Sequence, residues 1–92
     1  MTSEADERFA AFVDRENVEL LRVGWYLTSD PDDARDLVQE ALTRVYRRWA
    51  TLRSGEELGY VRRTMVNIQT DAARRRGRAA ALPWHRTLGL AG

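Results

Sequence analysis

The stretch that decides the fold is residues 30–49, DPDDARDLVQEALTRVYRRW. Its apolar side chains recur at spacings of three and four, the period of one face of an α-helix. Asp30 followed by Pro31 is typical of a helix N-cap and the first helical position. The stretch therefore predicts a helix that runs to about Trp49. Its predicted buried stripe comprises Ala34, Leu37, Val38, Ala41, Leu42, Val45 and Trp49.

A helix is also predicted before this stretch, from about Glu4 to Leu27, with Ser3 as its N-cap. Glu16 falls inside the apolar stripe, so we expect an arginine from a neighbouring helix beside it. Trp25 lies on the opposite side and predicts a second apolar contact. The stripe itself comprises Phe9, Phe12, Val13, Leu20, Val23 and Leu27.

A third helix is predicted after a short loop at residues 50–55, opening at Glu56 and Glu57 and fraying near Arg76–Gly77. Its buried stripe comprises Leu58, Val61, Met65, Ile68 and Ala72. The fold class expected is all-α, a small three- to four-helix bundle. Residues 1–77 would form the helical domain, and residues 78–92 a linker or weakly ordered tail. Trp84, in that tail, has no assigned role.

Composition excludes several classes of protein. The chain has 92 residues, no cysteine and one histidine, His85, so disulfides, thiolate sites and a histidine metal cluster are ruled out. No apolar run approaches the roughly 20 residues of a membrane span, and the N-terminus lacks signal-peptide architecture. A soluble, cytoplasmic protein is expected. No nucleophile with a matched base and no phosphate-binding loop occurs, so we expect no catalytic residues, metal or cofactor.

Charge is distributed unevenly along the chain. Residues 1–40 carry 11 acidic and 4 basic side chains, a net −7, whereas residues 41–92 carry 3 acidic and 11 basic, a net +8. All fifteen basic residues are arginine, a side chain that suits phosphates and base edges. A GC-rich coding sequence would also favour arginine over lysine, but it would not explain the asymmetry.

The second predicted helix has a polar face opposite its apolar stripe, formed by Asp36, Gln39, Glu40, Thr43 and Arg47. Asp36 and Glu40 are like charges one turn apart, which costs a helix roughly 0.2–0.5 kcal/mol. One interpretation is a socket for a basic partner surface. The alternative is an ordinary solvated face in which Glu40 pairs with Arg44.

The third predicted helix has an outer face of Arg63, Asn67, Thr70 and Arg74, with Tyr60 at its edge. Asparagine and arginine can hydrogen-bond base edges, and an aromatic ring can stack on an unpaired base. Such a face could equally serve only solubility. The run Arg74, Arg75 and Arg76, with Arg78, favours nucleic acid, because these charges repel one another unless a polyanion is near.

Residues 30–49 and the later stretch YVRRTMVNIQTDAARRR resemble region 2 of bacterial sigma factors, in the extracytoplasmic-function group. The resemblance covers about residues 9–76. It implies a small helical domain that binds the β′ clamp helices of core RNA polymerase. Asp36, Gln39 and Glu40 match the motif that makes this contact, and Thr43 and Arg47 share their face.

The resemblance also implies recognition and melting of the promoter −10 element. The loop at about residues 50–57 would help form a pocket for a flipped non-template base, and Asn67 matches the family asparagine near it. DNA contacts would fall to the third helix. The candidates are Tyr60, Arg63, Asn67, Thr70, Arg74, Arg75 and Arg76. An anti-sigma factor is a further candidate partner.

Two features depart from the family pattern. Many relatives have Trp-Leu where this chain has Tyr60-Val61, and 92 residues leave no room for the usual second, −35-reading domain. Two other functions stay open. One is a sigma-like interaction module that regulates polymerase, or engages an anti-sigma factor, without reading promoters. The other is a stand-alone duplex-binding repressor, for which no dimer stripe is evident.

Overall fold

The computed structural model describes residues 3–80. They form three α-helices, α1 (Glu4–Thr28), α2 (Pro31–Tyr46) and α3 (Glu57–Ala80), with a short 3-10 turn at Trp49–Thr51. No strand occurs within this range, so the predicted all-α class is confirmed. None of these helices is long and apolar enough to cross a membrane.

Both predicted N-caps are present. The Ser3 hydroxyl accepts a hydrogen bond from the Asp6 N–H at 3.1 Å. The Asp30 carboxylate accepts from the N–H groups of Asp32 and Asp33, both at 2.9 Å, and Pro31 occupies the first helical position. These bonds satisfy N–H groups that have no partner within the helix, so each helix begins where its polar cap stands.

A two-residue connection turns the chain from α1 into α2. Ser29 adopts a left-handed conformation with φ of 58°, and its N–H donates to the Trp25 carbonyl at 2.7 Å. A residue in this conformation ends a helix sharply. Asp30 then caps α2 at once, so α1 and α2 lie side by side.

The core lies where α1, α2 and α3 meet. All seven residues of the predicted α2 stripe are buried. From α1 the core takes Phe12 and Leu20, while other members of the predicted stripe, such as Phe9 and Val23, are partly buried against it. The α3 contribution comprises Val61, Met65 and Ile68. Leu58 and Ala72, the remaining members of the predicted α3 stripe, are partly buried.

Two predicted helix ends were wrong. α2 ends at Tyr46 rather than Trp49, because the backbone tightens into a turn in which the Arg48 N–H donates to the Val45 carbonyl. Trp49 is nevertheless buried, with its ring centroid 5.1 Å from that of Phe9. α3 continues through Gly77 to Ala80. The surrounding alanines and arginines are strong helix formers, and they outweigh the roughly 1 kcal/mol that glycine costs.

The predicted domain end at residue 77 therefore falls inside a helix, and the boundary itself stays a prediction. Residues 81–92, including Trp84 and His85, lie outside the described residues.

The prediction that Glu16 lies beside an arginine of a neighbouring helix was also wrong. Its carboxylate lies 3.3 Å from Arg15 of the same helix, not beside an arginine of another. The ion pair between helices joins Glu19 of α1 to Arg62 of α3, at 2.6 Å. About two turns further along both helices, the Gln69 side chain donates to the Leu27 carbonyl at 3.3 Å, so polar bonds reinforce the α1–α3 contact.

Gly24 allows α1 and α2 to approach closely. A Cβ built on this buried glycine would lie 2.9 Å from the Ala34 backbone oxygen and 3.2 Å from the Ala34 Cα. Backbone atoms cannot move aside as the end of a flexible side chain can. The lack of a side chain at position 24 therefore sets the distance between the two helices.

We expect Gly24→Ala to lower the free energy of unfolding by about 1–3 kcal/mol, since the methyl group would overpack this crossing. Urea denaturation followed by circular dichroism measures the change. Gly59→Ala is the matched control: its Cβ meets nothing within 4 Å, and alanine is favoured in helices by roughly 0.5–1 kcal/mol. Equal stability of the two variants would contradict a tight crossing.

Candidate functional site

The polar face of α2 is exposed as predicted. Its five members are Asp36, Gln39, Glu40, Thr43 and Arg47. Glu40 accepts a hydrogen bond from Arg44 at 2.9 Å, which is the pairing expected of an ordinary solvated face. Asp36 makes no ion pair within residues 3–80. We call these five residues the α2 face. The Asp36 carboxylate can therefore pair with a partner's cation, whereas the Glu40 carboxylate is already paired with Arg44.

An apolar hollow adjoins one edge of the α2 face. Gln39, Thr43 and Arg47 line it together with four apolar or aromatic side chains, and its volume is about 340 Å³. The four are Phe9, Val13, Leu42 and Tyr46. Sequence reasoning assigned Phe9, Val13 and Leu42 to the core and missed that they also border this face. The signal was available: Tyr46 follows Thr43 by three positions, so the two share a side of the helix.

Tyr46 also ties α1 to α2 beside this hollow. Its hydroxyl donates to the Asp6 carboxylate, forty positions earlier in the chain. This bond lowers the pKa of Asp6, because it stabilises the charged form of the carboxyl. The same bond and the nearby negative charge raise the pKa of Tyr46. The hydrogen bond to Asp6 therefore holds the Tyr46 ring at the rim of the hollow.

The outer face of α3 is exposed, as predicted, at four of the positions expected to contact nucleic acid. It comprises Arg63, Asn67, Thr70 and Arg74. Tyr60 differs, because its ring is partly buried against the core. Within residues 3–80, neither Arg63 nor Arg74 forms an ion pair. We call the four exposed residues the α3 face. Tyr60 forms a fixed edge beside it.

Arg75 and Arg76 do not share the side of α3 that carries the α3 face. They line a cleft between α2 and α3, about 420 Å³ in volume, whose other wall carries carboxylates. The acidic side chains are Asp33, Asp36 and Glu40. From the sequence, these arginines were expected to share the face of Arg74, with a nearby polyanion that relieves the repulsion among their charges. For Arg75 and Arg76, the carboxylates of α2 lie across the same cleft, although no ion pair joins the two sides within residues 3–80.

The spacing could have revealed this arrangement. Arg75 and Arg76 follow Ala72 by three and four positions, and Ala72 continues the buried stripe of Ile68. Side chains three and four positions along a helix are neighbours. Both arginines therefore flank the buried side of α3 and lie towards α2.

The loop before α3 borders another cavity, of about 280 Å³, which lies against α1. Phe12, Trp49 and Leu52 form its apolar wall, and Arg8, Arg15, Ser54 and Glu57 are its polar members. One carboxylate oxygen of Glu57 is buried and has no hydrogen-bond partner among the described residues. The cavity therefore combines an aromatic wall with charged and polar side chains.

Asn67 is not among the residues that line this cavity. It lies ten positions beyond Glu57, about 15 Å along the helix axis. Its side chain is exposed on the α3 face. The structure therefore does not bring the loop cavity and Asn67 together, although the family resemblance implies that they are near each other.

The family model described as Sigma-70 region 2 matches residues 12–79 of the chain. The match starts within α1 and ends one residue before the end of α3, so it contains the α2 face, the α3 face and the cleft between them. No solved structure matches significantly.

Similar curated proteins carry names of the same kind. An RNA polymerase sigma-E factor of Streptomyces coelicolor is 41% identical over 64 residues, covering 68% of this chain and 36% of its own. An ECF RNA polymerase sigma factor SigE of Mycolicibacterium smegmatis is 37% identical over 57 residues, covering 62% of this chain and 22% of its own. The chain thus spans about a third or less of the length of these relatives.

We expect Asp36→Asn/Glu40→Gln to bind a generic single-stranded oligothymidylate about two- to fivefold more tightly than the wild type, because Arg75 and Arg76 lose opposing charges. Fluorescence anisotropy of the labelled oligonucleotide measures the affinity. Glu7→Gln/Asp14→Gln removes the same charge from exposed positions of α1 and controls for net charge. An equal gain in both variants would show that the cleft carboxylates do not restrain the two arginines.

Proposed function

The chain belongs to the sigma-70 region 2 family, and we propose that it docks on core RNA polymerase and helps recognise and melt the promoter −10 element. Polymerase docking and promoter recognition would both take place in the cytoplasm, where polymerase and promoter DNA meet. One observation carries the proposal: a single small bundle exposes both the α2 face and the α3 face. Neither role requires the chain to form or break a covalent bond.

The α2 face supports polymerase docking. Asp36 offers a carboxylate with no ion-pair partner among residues 3–80, and Glu40 can exchange Arg44 for a partner cation. The hollow beside Gln39 and Thr43 adds apolar surface that a side chain of the partner can fill. Charge at one edge and apolar contact at the other suit a basic helical surface such as the β′ clamp helices.

The α3 face supports DNA binding. Arg63 and Arg74 lie eleven positions apart, about 16 Å along the helix, and can contact separate phosphates of one strand. Asn67 lies between them and can hydrogen-bond a base edge. Tyr60, held against the core, offers the edge of an aromatic ring to an unstacked base.

Strand opening would follow from capture of an unpaired base. Extruding a base costs a few kcal/mol, and a surface that binds only the extruded form lowers that cost. The loop cavity is the candidate site for such a base, because its lining combines the aromatic ring of Trp49 with the polar side chains of Arg8, Ser54 and Glu57. These polar groups can hydrogen-bond the edge of a base.

One observation favours the alternative function, a sigma-like module that regulates polymerase or engages an anti-sigma factor without reading DNA. Arg75 and Arg76 share their cleft with three carboxylates, so part of the basic charge on α3 is already opposed. A module of this kind would bind polymerase and show no preference among DNA sequences. The two functions therefore differ in DNA selectivity and not in docking.

We expect Asp36→Ala/Glu40→Ala to weaken retention of core RNA polymerase about tenfold, since the variant removes both carboxylates of the α2 face. A pull-down with purified core polymerase, titrated to give an affinity, measures the loss. Glu7→Ala/Asp14→Ala carries the same charge change on α1 and should bind like the wild type. Undiminished retention of the α2 variant would discard the docking assignment.

We expect Asn67→Ala to lose a base preference worth about tenfold in affinity, because the amide would no longer read a base edge. A randomised single-stranded DNA pool, selected on the complex with core polymerase, identifies the preferred sequence and the position affected. Asn17→Ala, on an exposed position of α1, is the matched control. If the wild-type complex selects no sequence while still binding polymerase, the regulatory alternative holds instead.

A further inference from the structure

Two exposed side chains, one aromatic and one apolar, lie where α1 and α3 run side by side. Tyr26 of α1 is 85% exposed, and Val66 of α3 is 44% exposed. Neither residue belongs to the α2 face or the α3 face, and neither lines the hollow, the cleft or the loop cavity. Neither the core nor these surfaces therefore accounts for their exposure.

Two contacts fix how α1 and α3 align. Glu19 pairs with Arg62 at 2.6 Å, and about two turns further on the Leu27 carbonyl accepts from the Gln69 side chain at 3.3 Å. Because both contacts advance along α1 and α3 together, the two helices run in the same direction here. Residues between the two contacts on one helix therefore lie level with those on the other.

An arginine precedes each of the two exposed side chains by one helical turn. On α1 it is Arg22, four positions before Tyr26, and on α3 it is Arg62, four positions before Val66. Side chains four positions apart are neighbours on a helix surface. We call these four residues the α1–α3 seam. The seam borders the α3 face, because Val66 directly precedes Asn67.

Glu19 organises the charge of the seam. One of its carboxylate oxygens lies 2.6 Å from Arg62, and the other lies 4.0 Å from Arg22. Two guanidinium groups thus share one carboxylate, which leaves a net positive charge. The side chains of Arg22 and Arg62 are 76% and 44% exposed, so an incoming phosphate can reach both.

A single nucleic-acid strand is the partner that this combination fits. Arginines bind phosphates, and an exposed tyrosine ring is a surface on which an unpaired base stacks. Arg63 of the α3 face directly follows Arg62, so the positive surface is continuous from the seam to the α3 face. The axes of packed helices lie about 8–10 Å apart, which is close enough for a strand on the α3 face to reach α1.

We propose that a single strand bound to the α3 face continues across the α1–α3 seam, where Tyr26 stacks on an unpaired base and Arg22 contacts a phosphate. This inference rests on the proposed DNA-binding role of the α3 face and adds α1 as a second nucleic-acid-binding helix. Stacking tolerates any base, because every base has a π face. Tyr26 therefore adds affinity, whereas the base preference comes from Asn67.

The test uses the whole 92-residue chain and two labelled strands of equal length, an oligothymidylate and an abasic strand that carries phosphates without bases. We expect Tyr26→Ser to bind the oligothymidylate about tenfold more weakly than the wild type, because a stacked base is lost. Its affinity for the abasic strand should stay unchanged. Tyr26→Trp should bind at least as tightly as the wild type, since stacking requires the ring and not the hydroxyl. Fluorescence anisotropy gives the affinities.

Arg22→Gln tests the phosphate contact. It should weaken binding of both strands to the same degree and reduce the slope of log affinity against log salt by about 0.7.

Trp25→Ser is the matched control for Tyr26→Ser and should bind both strands like the wild type. Trp25 is 53% exposed, so the second apolar contact predicted for it is about half made within the described residues. It lies about 100° further around α1 than Tyr26 and lines a hollow with Pro31 of α2. Circular dichroism checks that all variants fold.

The outcomes separate this inference from the proposed function. Weaker binding by Arg63→Gln/Arg74→Gln, with no change in Tyr26→Ser, would overturn the inference and leave the DNA-binding role of the α3 face intact. No change in either variant, or no binding by the wild type, would overturn both. Equal losses on the two strands in Tyr26→Ser would show that the ring does not stack on a base. Loss of core polymerase retention in Tyr26→Ser, with unchanged oligonucleotide affinity, would assign the seam to a protein partner instead.

Discussion

Burial of one whole side of α2 between α1 and α3 is the constraint on which this structure depends. Seven residues from Ala34 to Trp49 lie in the core, so α2 has only its other side to offer to partners. The Asp30 cap fixes the start of α2, and the close contact of Gly24 with Ala34 fixes its first turn against α1. Because α2 cannot rotate without exposing this stripe, the directions of Asp36 and of the cleft are fixed with it.

The elements with a strong period and a clear cap were predictable from the sequence. Ser3 and Asp30 cap their helices as expected, and the α2 stripe is buried in full. Helix ends were less predictable. After the tightening at Tyr46, Trp49 packs against Phe9, a contact between residues forty positions apart that the local sequence does not reveal. The continuation of α3 beyond Gly77 reflects the propensities of its neighbours, which a single glycine does not reveal.

The candidate site was predictable one helix at a time but not between helices. Helical periodicity placed Asp36 and Asn67 on exposed faces, because the opposite side of each helix is apolar. Periodicity places Arg75 and Arg76 beside the buried side of α3, but it does not say which residues of another helix lie opposite them, so the three carboxylates emerged only from the structure. The same holds for the hollow beside Tyr46, whose walls come from α1 and α2.

If α3 binds nucleic acid as proposed, the acidic side of the cleft between α2 and α3 competes with phosphates for Arg75 and Arg76. Fewer condensed ions would then be displaced when phosphates replace the carboxylates near those guanidinium groups. Added electrolyte weakens the internal attraction as well as the external one. The number of contacts inferred from the dependence of affinity on ionic strength would then be smaller than the number of arginines that contact the strand. A partner that covered the α2 carboxylates would make this dependence steeper.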